Sequence, residues 1–98
     1  MAVKLSLVVN DNPIDTDHFV EGFINHTTSG MIEALKDTGE IKDLNLVIDG
    51  DNVKINLNGT TIPLTAFANK IIQSTIFGMV STLKGVNDIK KLSLVLHK

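Results

Sequence analysis

The chain has 98 residues, a formal net charge of −2 at pH 7, nine lysines without any arginine, and no cysteine, tryptophan or tyrosine. This length predicts one α+β domain over residues 1–98 that can fold without a metal or cofactor, and the missing cysteines exclude disulfides and thiolate chemistry. A negative charge without arginine opposes binding to the phosphates of nucleic acids.

The first predicted strand runs from Val3 to Val9 and alternates apolar with polar residues, which is typical of a sheet with one buried face. Its apolar run, from Leu5 to Val9, is too short for the core of a signal peptide or for a membrane span. We therefore expect a cytoplasmic protein that does not bind membranes.

The first helix is predicted from an N-cap at Asp15 to about Lys36. Its apolar residues recur at intervals of three and four and form one stripe, which should face the sheet. Ile32 falls on the polar side of this helix. The stripe consists of Phe19, Val20, Phe23, Ile24, Thr27, Met31, Ala34 and Leu35.

A β-hairpin is predicted from Leu44–Ile48 and Val53–Leu57, because an Asp-Gly pair lies in the segment between them and Asp-Gly favours tight turns. The Asn58-Gly59 pair predicts a second turn, which could return a short extra strand over residues 60–63. Pro63 would end that strand or confine it to an edge.

The second helix is predicted from about Thr65 to Leu83. Phe77 projects onto its polar side, flanked by Ala66 and Val80. Its predicted core stripe consists of Phe67, Ala68, Ile71, Ile72, Thr75, Ile76, Met79 and Leu83. The last strand, Lys91–His97, repeats the Lys-Leu-Ser-Leu-Val sequence of the first strand.

The resulting order of elements, βαββαβ, predicts a ferredoxin-like sandwich, with an antiparallel sheet in the order 4-1-3-2 and both helices on one face. This arrangement predicts a core of inward-facing apolar residues. The core residues expected to be almost fully buried are Leu5, Leu7, Phe23, Ile24, Leu46, Ile55, Ile72, Met79 and Leu94.

The same topology gathers acidic loops at one end of the sheet, with Asp11, Asp49, Asp51 and Asp88 as candidate ligands for a divalent cation. Aspartate and asparagine are also the residues that turns and N-caps require, and no segment has the spacing of an EF-hand. We expect these residues to lie near one another without holding a specific ion. A domain that binds a small molecule or cation at this end is the alternative function.

The leading prediction is a small, soluble, non-catalytic interaction module that self-associates, with a second protein as a further candidate partner. Phe77, Ile32, Val80 and Ala66 are the predicted contact residues because each falls on a polar helical side. Helices of about 21 residues would also overhang strands of seven residues. An enzyme ranks third, because the sequence positions no pair of titratable groups as acid and base.

Overall fold

The computed structural model describes residues 4–35, 41–83, 86 and 88–97. The predicted end of the first helix at Lys36 lies outside these residues. Two helices, α1 (His18–Leu35) and α2 (Ala66–Val80), accompany six strands. The strands are β1 (Lys4–Val9), β2 (Asn12–Pro13), β3 (Asp43–Asp49), β4 (Asn52–Leu57), β5 (Thr60–Ile62) and β6 (Lys91–His97).

Three two-residue turns connect neighbouring strands, and each uses residues that tolerate a positive φ. Asn10 and Asp11 join β1 to β2 with φ values of 50° and 67°. Gly50 begins the turn between β3 and β4 with φ 59°, and Asn58 and Gly59 join β4 to β5 with 51° and 86°. The Asn58-Gly59 turn therefore folds back the predicted short strand, which is present as β5.

The helices begin at capping side chains. An Oδ atom of Asp17 accepts a hydrogen bond of 2.8 Å from the Val20 amide, so Asp17 caps α1 in place of the predicted Asp15. The Thr65 hydroxyl caps α2 by accepting from the Ala68 amide at 3.1 Å. With 15 residues, α2 is shorter than predicted and is about as long as the strands beneath it. The described part of α1 has 18 residues.

The six strands form one antiparallel sheet in the order β2-β1-β6-β3-β4-β5. The predicted ferredoxin-like sandwich is wrong, because that fold has four strands and places the first strand between the third and the last. Here β6 lies between β1 and β3 and pairs with β1 over Leu92–His97 and with β3 over Lys91–His97. The predicted hairpin of β3 and β4 is confirmed.

The register between β1 and β6 places the two copies of the repeated sequence on matching faces. Leu7 lies opposite Leu94 on the inner face, and Ser6 lies opposite Val95 on the outer face. An offset of one residue would exchange these faces, so the alternating pattern specifies the register.

Both helices cover the inner face of the sheet, and the outer face is open. The core is built from inner-face side chains of the strands and one side of each helix. Among the predicted core residues, Leu5 and Met79 are only partly buried, and Phe23 is exposed. The predicted core residues that are buried are Leu7, Ile24, Leu46, Ile55, Ile72 and Leu94.

Candidate functional site on the helical layer

Each helix buries a single line of side chains spaced four residues apart. On α1 this line is Ile24, Thr28 and Ile32, and on α2 it is Ala68, Ile72, Ile76 and Val80. Side chains at this spacing follow one another along the same side of a helix. The sheet therefore covers a narrow strip of each helix.

A second apolar line lies beside each buried line and faces away from the sheet. Phe19 and Phe23 on α1 are 75% and 53% exposed, and Phe67 and Ile71 on α2 are 75% and 47% exposed. Each pair occupies consecutive turns of its helix. Isolated apolar side chains are normal on protein surfaces, whereas paired phenylalanines on one layer form a patch.

An open groove of about 360 Å³ lies between the beginning of α1 and the end of α2. The rings of Phe19 and Phe23, with centroids 6.1 Å apart, form one wall. The residues that line the groove carry no charge. They are Phe19, Val20, Phe23, Ile24, Gly78, Met79, Thr82 and Leu83. We call this feature the interhelical groove.

Three glycines lie within the helices, Gly22 and Gly30 in α1 and Gly78 in α2. Glycine in a helix costs about 1 kcal/mol relative to alanine. A Cβ atom added at any of the three would meet no atom within 4 Å outside its own stretch of helix, so packing within the chain does not require these glycines. The helical layer therefore keeps small residues where it faces outward.

The structure places the predicted contact residues differently from the sequence prediction. Ile32 and Val80 are 1% and 0% exposed and belong to the core, so they present no surface to a partner. Phe77 is partly buried and packs against the core, beside Val86 and Ile89. Ala66 alone of the four is exposed.

The rotation of each helix about its own axis explains this difference. Successive residues advance by about 100° around a helix, so two adjacent apolar lines form one wide sector. The sequence prediction assumed that the middle of this apolar sector faces the sheet. In the structure the sheet covers the sector near Ile32 and Val80 and leaves Phe19 and Phe67 outside. In the sequence, the four-residue spacing that leads from Ile24 to Ile32 and from Ala68 to Val80 was the signal that could have shown which side of each helix faces the sheet.

The acidic loops do lie at one end of the sheet. The Asn10 amide nitrogen donates to the carbonyl of Asp88 at 2.8 Å, and the Gly50 amide donates to the carbonyl of Lys90 at 3.0 Å. Asp11 and Asp88 share a shallow depression with Lys90. Within residues 4–35, 41–83, 86 and 88–97, no three His, Asp or Glu side chains are close enough to hold a metal ion.

Amide side chains of α2 occupy much of the hydrogen-bonding capacity of the hairpin turn at this end. Asn69 accepts from the Val53 amide at 2.9 Å and donates to the carbonyl of Asp51 at 2.7 Å. Gln73 donates to the carbonyl of Gly50 at 2.8 Å. The turn is thereby fixed to the helical layer, which is a structural role.

Comparison with protein-family models, with curated proteins and with solved structures found no match to this chain. No helix in the part of the chain that the structure describes is both long enough and apolar enough to cross a membrane.

Proposed function

We propose that this chain is a non-catalytic interaction module that self-associates through its helical layer. The observation that carries the proposal is the exposure of two apolar pairs on the helical layer, Phe19 with Phe23 beside the uncharged interhelical groove and Phe67 with Ile71 at the beginning of α2. Large aromatic side chains are the residues that most often dominate the binding energy of interfaces. We also propose a cytoplasmic location, with which the absence of cysteine is compatible.

The total exposed apolar area of the helical layer supports self-association. If a phenylalanine side chain presents about 200 Å² when fully accessible, the four residues together expose roughly 500 Å² per protomer. Pairing two copies would then remove about 1,000 Å² from water, which is the size at which specific interfaces begin. The small outward-facing residues nearby, which include Gly30, Ala34 and Ser74, would add further area.

The open face of the sheet is the competing surface. It carries partly exposed valines, including Val8, Val47 and Val95, among serine, asparagine and lysine. None of the four phenylalanines lies on it. The helical layer is favoured because its exposed apolar side chains are larger and are grouped in pairs.

Sedimentation equilibrium tests the proposal with the full chain and two matched variants. Phe67→Ser removes an exposed anchor of the helical layer, and Val95→Ser removes an apolar side chain from the open sheet face. We expect the parent to dimerise at micromolar concentrations, Phe67→Ser to raise the dissociation constant at least about tenfold, and Val95→Ser to leave it unchanged.

Two results would contradict the proposal. A parent that stays monomeric at several hundred micromolar has no self-association to explain. If Val95→Ser disrupts the dimer and Phe67→Ser does not, then the sheet face is the contact surface.

A further inference from the structure

We infer that two copies pack about a two-fold axis, with α2 antiparallel to α2 of the second copy. In this arrangement Phe67 of each protomer enters the interhelical groove of the other. The inference rests on the proposed function and specifies how that self-association is built.

The helical layer carries both halves of a self-complementary contact. Phe67 protrudes from the beginning of α2, where it is 75% exposed. The interhelical groove lies at the other end of the same helix, where Gly78, Thr82 and Leu83 line it. In a two-fold interface the same patch on each subunit supplies both the protrusion and the pocket. One antiparallel pairing of the two α2 helices therefore places each Phe67 at the groove of the other copy.

The sequence positions locate the axis. The groove residues Gly78 and Thr82 follow Phe67 by 11 and 15 positions, which is roughly 16 to 22 Å along the helix. The midpoints between Phe67 and these two groove residues fall within residues 72–75. Ser74 is the exposed member of this group, whereas Gln73 and Thr75 are partly buried. The axis should pass close to Ser74.

The groove can accept a phenyl ring. Its volume of about 360 Å³ is larger than a phenyl ring, and its walls are apolar apart from the hydroxyl of Thr82. Gly78 lines the groove, and a Cβ atom added there would meet no atom of another segment within 4 Å. The glycine therefore keeps the groove open at the position where the partner's ring would lie, although it weakens the helix.

Filling the groove is the first test. Gly78→Leu adds a side chain that meets no atom near its Cβ, so we expect the variant to fold with an equal or higher melting temperature. We expect its dissociation constant for dimers to rise at least tenfold. Ala66→Leu is the matched control, because Ala66 is exposed on the same helix and lies about 120° around it from Gly78. This control should leave the dissociation constant within twofold of the parent.

A cysteine introduced at the axis is the second test. Because the chain has no native cysteine, the introduced thiol can form a disulfide only with its copy in a second chain. Residues close to a two-fold axis lie near their own copies, and a disulfide needs Cα atoms within about 7 Å. Ser74→Cys should give a disulfide-linked dimer on mild oxidation, seen on a non-reducing gel and lost with reductant. Ser6→Cys, which changes an exposed serine on the open sheet face, should remain monomeric on the gel.

The outcomes separate this inference from the proposed function. If Phe67→Ser weakens the dimer while Gly78→Leu and Ser74→Cys behave like the parent, then the module self-associates but not in this arrangement. If Ser6→Cys cross-links and Ser74→Cys does not, or if the parent is monomeric, then both the arrangement and the proposed function are wrong.

Discussion

Asn10 and Asn58 lie at different turns of the sheet and make the same pair of hydrogen bonds. The Oδ1 atom of Asn10 accepts from the backbone amides of Lys90 and Lys91 at 2.9 and 3.0 Å. The Oδ1 atom of Asn58 accepts from Lys42 and Asp43 at 2.9 Å each. With φ values of 50° and 51°, each asparagine fixes the backbone where a central strand, β6 or β3, begins.

Replacing Asn10 should separate the contribution of the side chain from that of the backbone. Asn10→Ala loses the hydrogen bonds and places a Cβ-bearing residue without polar compensation at positive φ, so we expect the free energy of unfolding to fall by about 2 to 3 kcal/mol. Asn10→Gly relieves the backbone and should cost about 1 kcal/mol. Urea denaturation measures both. Equal stability of the two variants would show that the backbone conformation contributes nothing.

Thr28 should be replaceable by valine with a gain in stability. Its side chain is fully buried within α1, and its hydroxyl has no hydrogen-bond partner among the residues that the structure describes. Thr28→Val keeps the branched shape and removes the buried polar group, so the free energy of unfolding should rise by about 1 kcal/mol. Thr27→Val, at a partly exposed neighbour, should change it by less than about 0.5 kcal/mol. A loss of stability in Thr28→Val would mean that the hydroxyl has a partner.

Two glycines should respond to alanine with opposite signs. Gly30 lies within α1 and a Cβ there meets no neighbouring atom, so Gly30→Ala should stabilise the fold by about 1 kcal/mol. Gly50 has φ +59° at the hairpin turn, so Gly50→Ala should destabilise it by about 1 to 2 kcal/mol. Thermal unfolding monitored by circular dichroism measures both changes. Equal effects of the same sign would contradict the assigned backbone conformations.

Phe77 and Phe67 form a matched pair on α2. Phe77 is partly buried against the core, so Phe77→Ala should lower the free energy of unfolding by about 1 to 3 kcal/mol. Phe67 is 75% exposed, so Phe67→Ala should change monomer stability by at most about 0.5 kcal/mol. Denaturation at submicromolar protein keeps self-association from contributing. A larger loss of stability in Phe67→Ala than in Phe77→Ala would show that Phe77 is exposed and does not pack against the core.

The sequence predicts the inner faces of the longer strands well, because alternation has a period of two and each strand buries one side. It does not predict the two-residue strand β2. Leu46 and Leu94 are buried as expected. The alternation does not encode which strands are neighbours. Both the predicted order and the observed order place the same leucines inward, so the position of β6 at the centre could not be read from the pattern.

The prediction of which side of each helix faces the sheet was wrong for a related reason. Phe23 and Ile24 are adjacent in sequence and about 100° apart on the helix, and either could face the sheet. Hydrophobicity reports that a side chain avoids water, whether its neighbour is its own sheet or another molecule. In the structure the sheet takes Ile24 and leaves Phe23 on the outside, so the candidate site came from the residues that the sequence prediction had assigned to the core.

The central position of β6 has a consequence for how the protein is made. It is the last of the six strands to leave the ribosome, yet β1 and β3 both need it as their neighbour. Until it arrives, β1 can pair only with the two residues of β2, whereas β3, β4 and β5 can pair with one another. Pairing between strands so distant in sequence slows folding. One edge of β1 and one edge of β3 are therefore exposed until synthesis of β6 is complete. During this interval a nascent chain of this protein is most prone to aggregate.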